Sequence, residues 1–132
     1  MATLGINEAF ARYGAKLHNG QWSVSAWALD GSLVVSLWEH HHRKSAPGTM
    51  EFAAKASRWS GPGNAEFRKN VARAFEASAI VRLVIVRTVE KERVEAGEDG
   101  STIPKDFFLR EDLVGKVIEW DGENYAFQFV KA

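Results

Sequence analysis

Two stretches of this chain alternate apolar and small polar residues about an Asp-Gly pair, and that pattern constrains the fold more than any other. Residues 22–29, Asp30-Gly31 and residues 32–39 make the first; residues 114–120, Asp121-Gly122 and residues 125–130 make the second. Asp-Gly supplies the positive φ that a two-residue hairpin turn demands, so each stretch predicts an antiparallel pair. Side chains alternate faces with period two, so fixing the turn fixes the faces. In the first hairpin, Trp22, Val24, Ala26 and Ala28 then share a core face with Leu33, Val35 and Leu37. Ser23, Ser25, Trp27 and Leu29 fall opposite with Ser32, Val34, Ser36 and Trp38, followed by His40 and His42 if the strand runs on. Serines between tryptophans predict a half-open surface. In the second hairpin Ile118 and Trp120 share a face with Tyr125, Phe127 and Phe129.

The remaining elements are read by period and punctuation. Residues 8–13 suit a short helix between Asn7 as N-cap and Gly14 as stop. Residues 43–49, with Pro47-Gly48, are a loop, and 50–57 are read as a strand. Asn64 caps a helix over 65–77 whose Phe67, Val71, Ala74 and Phe75 recur at helical spacing. The β-branched run 80–89 predicts a central strand. Residues 90–105 are charged, lack an apolar period and read as a long flexible loop. Six strands and two helices that do not alternate exclude a doubly wound sheet. The expected fold is α+β: a strongly curved mixed sheet or small open β-barrel, with the longer helix near 65–77. At 132 residues the chain is expected to form one domain, 1–132. No apolar run reaches the ~20 residues of a membrane span, and the first residues show no basic-then-apolar leader. A cytoplasmic protein with no membrane partner is expected.

Charge is balanced overall, 17 Lys plus Arg against 17 Asp plus Glu, but not along the chain. Residues 40–87 hold nine bases and three acids, and residues 88–132 hold six bases and eleven acids. A positive and a negative face follow if the fold keeps these blocks apart. Within the basic block, Arg58-Trp59-Ser60-Gly61-Pro62-Gly63-Asn64 leads into the predicted helix. Gly61, Gly63 and Asn64 would open backbone N–H groups at a helix N-terminus to an anion. Arg58, Arg68, Lys69 and Arg73 would hold phosphates, and Trp59 would stack on a base. Trp27 and Trp38 are the other indoles outside the core face and would wall an aromatic pocket.

Other chemistry finds less. His40 and His42 could share an ion across one strand face, but zinc needs three or four protein ligands and no further ligand has an obvious spacing. No metal site and no cofactor is expected. With no cysteine, thiolate chemistry is excluded. Glu51, Glu66, Glu90 and Glu92 make no nuclease-like carboxylate pair, Ser60 has no triad around it, and no catalytic residues are assigned.

The order of these elements, a strand over 50–57, then Arg58-Trp59-Ser60-Gly61-Pro62-Gly63-Asn64, a helix, the strand 80–89 and a closing hairpin, resembles the PUA-like superfamily, with its EVE, ASCH and YTH domains. The resemblance spans most of the chain but lies in topology and residue type, without a signature motif. It implies a curved mixed sheet that holds an altered or extruded nucleobase in an aromatic pocket. Together the sequence predicts a module binding DNA or RNA; a small-molecule or metal-dependent enzyme is a weaker reading, with no residue pattern that assigns a reaction. The alternative is a homodimerising interaction or regulatory domain, joined through a hairpin edge or the Trp27–Trp38 face.

Overall fold

A computed structural model describes residues 4–132 of the chain. Its α-helices are α1 (Ile6–Ala11), α2 (Pro62–Ala77) and α3 (Lys91–Glu95). Its strands are β1 (Ser25–Trp27), β2 (Leu33–Trp38), β3 (His42–Arg43), β4 (Thr49–Lys55), β5 (Val81–Arg87), β6 (Asp106–Leu109), β7 (Leu113–Trp120) and β8 (Asn124–Lys131). All eight join one mixed sheet in the order β1-β2-β5-β7-β8-β4-β3, with β6 also on β5. The fold is α+β as expected, but the sheet stays open and does not close into a barrel. The described residues add two strands and one helix to the predicted set.

The β-branched run of β5 takes the central position read from the sequence. It lies parallel to β2 from Leu33↔Val81 to Trp38↔Val86. Its other edge is shared: β7 meets it at Val81↔Gly115, and β6 pairs with residues 84–87. Burial on both faces explains why β2 reads as a nearly continuous apolar run. Leu33, Val35 and Leu37 face α2 along with Phe52, Leu83, Phe127 and Phe129. Val34 and Val84 point the other way, beneath Ala9, Phe10 and Leu17.

Helix α2 starts three residues before the predicted helix. Pro62 takes its first turn, where a missing N–H costs nothing, and Gly61 precedes it at φ 106°. Asn64 is therefore inside the helix, not its cap. Its buried amide donates to the Ala56 carbonyl and its oxygen accepts from Arg68 Nε. Likewise Gly5, not Asn7, precedes α1. Phe67, Val71 and Ala74 form the buried stripe of α2; full burial of Phe67 or Val71 is worth about 1.5–3 kcal/mol each.

The first hairpin departs from the prediction by one residue, and the departure matters. Its register is Ser25↔Val35, Ala26↔Val34 and Trp27↔Leu33. The loop holds three residues: the Gly31 N–H donates to the Ala28 carbonyl, Gly31 sits at φ 89°, and the Ala28 N–H donates to the Ser32 carbonyl. A turn closed by a left-handed glycine is the usual three-residue hairpin, and Asp-Gly suits it as well as the two-residue form. Each face assignment on β1 is consequently inverted. Ala26 and Ala28 join the α1 side, while Ser25 and Trp27 face α2. A similar correction applies to the second hairpin. Between Val117 and Glu119 the register shifts, so Val117 is buried and Ile118 is turned outward.

Residues 90–105 are not a structureless loop. Val94 and Ile103 are buried. Arg93 reaches Glu90, Glu98 and Thr102, and the Thr88 hydroxyl donates to the Pro104 carbonyl. No described helix is long and apolar enough to cross a membrane.

Candidate ligand site

Strand β1 is shorter than β2, and a cleft opens where it stops. Along this edge the Ala28 N–H donates to Ser32 and the Ser36 N–H to Val24, a row of alternate β2 residues. Trp38 is next in that row, but residues 20–22 turn away and leave no strand opposite it. The space left is a cavity of about 870 Å³, within the usual size of small-molecule sites. Three loops wall it: residues 20–24, residues 58–63, and residues 97–101 continuing to Lys105. Phe67 and Tyr125 also line it.

Three of the five tryptophans line this cavity: Trp22, Trp38 and Trp59, all half-buried. Trp59 leans on Phe67 with ring centroids 6.1 Å apart. Its indole Nε1 is buried without a hydrogen-bond partner, as is Nε of the neighbouring Arg58. Orphaned buried donors are uncommon, and these two are shielded from the cavity as well as from solvent, as Arg82 Nε is on the α1 side. Arg58 spends another N–H on the Val94 carbonyl, at 2.7 Å. Burial pushes the Tyr125 hydroxyl up to about 12, although the Arg58 guanidinium beside it pulls the other way. Tyr125 is thus a neutral floor to the site. The second cation is Lys105, whose ammonium donates to the carbonyls of Gly100 (2.6 Å) and Ile103 (3.1 Å). Two of its three N–H groups are used there, leaving one for a ligand. Burial lowers its pKa, with Asp99 opposing.

The sequence-predicted residues divide between this cleft and other places. Arg58, Trp59, Gly61, Gly63 and Trp38 line it. Gly63 permits close approach: a Cβ there would stand 2.2 Å from the Trp22 carbonyl oxygen. Asn64 is turned inward, as described above. Arg68 donates to the Gly122 carbonyl, Lys69 is exposed, and Arg73 lies 4.7 Å above the Trp27 ring. None of these four lines the cavity.

Trp27 is not a pocket wall. Its Nε1 donates to Asn70 Oδ1 of α2 at 3.0 Å, and Asn70 Nδ2 donates to the Ser25 hydroxyl at 2.9 Å. A shared Trp27–Trp38 face, one of the two surfaces through which a dimer was expected, is absent among the described residues. Trp22 takes the place of Trp27 in the aromatic set. Residues 20–22 turn away before they can pair with β2, so the place of Trp22 in the cleft wall comes from this turn and no strand period signals it.

The basic block does not gather on one side either. Arg43 pairs with Glu51 and Arg87 with Glu39, both acids from outside the acidic tail. Arg82 lies over Tyr13, 4.7 Å from its ring, on the α1 side. At the cleft rim, Glu98 is paired with Arg93, and Asp99 accepts from Ser101.

The first two residues of the histidine run depart from a strand. After Trp38 the chain makes a tight turn over Glu39–His41, so His40 and His41 come together. Both Nε2 atoms meet Glu95 Oε2, at 2.9 and 2.7 Å. His42 turns away, its ring edge-on to Phe52 with centroids 5.6 Å apart. Comparison with protein-family models, curated proteins and solved structures gives no match for this chain.

Proposed function

We propose that the protein is a nucleic-acid-binding module that takes a single extruded or unpaired base, plain or modified, into the cleft between Trp22, Trp38 and Trp59. The observation that carries this reading is the cavity walled by the indoles of Trp22, Trp38 and Trp59, with the cations Arg58 and Lys105 among its lining residues. A planar base with acceptor edges suits both features. Stacking contributes ~1–3 kcal/mol per base, and a hydrogen bond from a charged donor such as Arg58 adds ~1.5–3 kcal/mol. Arg58 and Lys105 would meet the adjoining phosphates. The PUA-like resemblance supports the same use of an aromatic pocket, and the open sheet is compatible with it.

Among the described residues two cations line the cleft, Arg58 and Lys105, and acids sit on its rim, so shape and stacking dominate over charge. Two phosphate contacts on a single strand give a slope of log K against log salt of about −1.4, shallow for a nucleic-acid binder. Tryptophan fluorescence titrated with nucleosides, nucleotides and short oligonucleotides, modified and plain, at two salt concentrations tests this. Quenching that Trp38→Ala and Arg58→Gln each weaken at least about tenfold, and that Trp27→Phe leaves unchanged, is expected. Absence of binding by every nucleotide and oligonucleotide at low salt overturns the proposal. Light scattering of the same samples checks the rival reading, in which a dimer forms and no base binds.

A further inference from the structure

A second cluster lies beside the cleft and does different chemistry. His40 Nε2, His41 Nε2 and Glu95 Oε2 all lie within 4.8 Å of one another. Two ring nitrogens converge on a single carboxylate oxygen, although Glu95 carries a second oxygen that one of them could have used. Ligands about 2.1 Å from a common ion, at angles of about 90–109°, stand about 3.0–3.4 Å apart. The observed 2.7 and 2.9 Å fall within a few tenths of an ångström of that spacing. We propose that His40, His41 and Glu95 bind one divalent transition-metal ion, leaving coordination positions open toward the neighbouring pocket.

The scaffold holds these three residues independently of any ion. Arg87 grips Glu39, the residue before His40, through two hydrogen bonds of 2.9 and 2.8 Å. Glu95 follows Val94, whose side chain is buried and whose carbonyl accepts from Arg58. Just beyond, Gly97 at φ 78° lies so close to the Arg58 carbonyl that a Cβ would stand 2.3 Å from its oxygen. Rigid backbone on both sides is what a metal site needs in order to impose geometry. Two imidazoles and one carboxylate suit zinc, iron(II), cobalt or nickel better than the harder magnesium or calcium. Three protein ligands with vacant positions is the pattern of reactive rather than purely structural sites. The adjoining pocket, about 440 Å³, is lined by Lys55, Ser57 and Arg58 as well as His41 and Glu95. Its two cations oppose a free cation but favour an anionic co-ligand on the bound one. Glu95 is half-exposed, so an ion can enter from solvent.

Calorimetric titration of the full chain with zinc, manganese and cobalt chlorides near pH 7.5 tests the site, with the cobalt visible spectrum reporting coordination. One ion per chain is expected, with an imidazole-containing cobalt spectrum. His40→Ala, His41→Ala and Glu95→Gln should each weaken it at least about tenfold. His42→Ala and His18→Ala should not. Circular dichroism of each variant separates lost binding from lost folding, and Glu95→Gln keeps shape while removing the charge. The proposal is overturned by failure of all three ions to bind stoichiometrically. Binding that Glu95→Gln leaves intact, or that His42→Ala weakens as much as His41→Ala, overturns it equally. None of these readouts depends on base binding.

Discussion

Asn70→Ala tests the register of the first hairpin, and the site assignment depends on that register. Asn70 clamps β1 to α2 with two hydrogen bonds, to Trp27 Nε1 and to the Ser25 hydroxyl, and both serine and asparagine are buried. Removing the amide strands the half-buried indole N–H, at a cost of about 1–3 kcal/mol, and deletes a second bond worth about 0.5–1.5 kcal/mol. Alanine is the better helix former, which returns roughly half a kcal/mol. The net loss is about 1–4 kcal/mol. For a chain of 132 residues, unfolding entropy of ~2.1 cal/mol/K per residue converts each kcal/mol into about 3–4 °C, so Tm should fall by about 4–14 °C. Urea denaturation gives the free energy, and the indole N–H resonance of Trp27 reports the bond itself. If β1 were paired through a two-residue turn, Trp27 would point away from α2, and the substitution would be neutral or slightly stabilising. A loss below about 0.5 kcal/mol with an unmoved Trp27 resonance would therefore refute the three-residue loop, and with it the removal of Trp27 from the cleft.

Two further predictions concern single contacts. Gly63→Ala should destabilise by about 1–3 kcal/mol although it places alanine within a helix, because its Cβ would overlap the Trp22 carbonyl at 2.2 Å; urea denaturation showing the ordinary helix gain of ~1 kcal/mol would refute the close approach. The Asp121 carboxyl is held at about 2, below its ordinary 3.8, by hydrogen bonds from the Asn124 side chain, the Asn124 backbone and the Glu123 backbone. Its folded pKa is depressed, so its contribution is complete above about pH 4 and is lost as pH falls toward 2. Amide shifts of Glu123 and Asn124 should titrate in that window and become flat in Asp121→Asn; a midpoint near 4 would contradict the bonding.

What the sequence disclosed about the fold follows the range of the signal that carried it. Strand β5 was legible from its β-branched run, helix α2 from its helical period, and the β7–β8 hairpin from alternation about Asp121-Gly122. The failures sit where one residue decides. Asp30-Gly31 fits a two-residue and a three-residue loop equally well, since Asp30 accepts from the Ser32 N–H while Gly31 takes the left-handed position. That single residue moved Trp27 from the cleft to the helix interface. Strand β6 was missed because its ladder partner, β5, is remote in sequence, and four residues leave little alternation to detect. Helix α3 offers one apolar residue, Val94, in five, so its burial has no period to announce it.

The two candidate sites expose a sharper limit. Trp59 and Arg58 could be suspected because glycines and a helix start surround them, a local pattern. Lys105 and Glu95 could not, because their roles arise from loop packing. Arg58 stands between both sites: its guanidinium lines the cleft and the smaller pocket, its side chain fixes the Val94 carbonyl, and its own carbonyl is packed on Gly97. The acidic tail thus does not neutralise the basic block as a charged surface. It contributes one carboxylate to two histidines from another strand turn, and a backbone that seats one arginine. Replacing Arg58 by Gln should consequently disturb base and metal affinities together, whereas Trp22→Ala, at the other wall of the cleft, should touch only the first. A result in which Arg58→Gln changes neither would mean that the two pockets are adjacent without sharing a wall that matters.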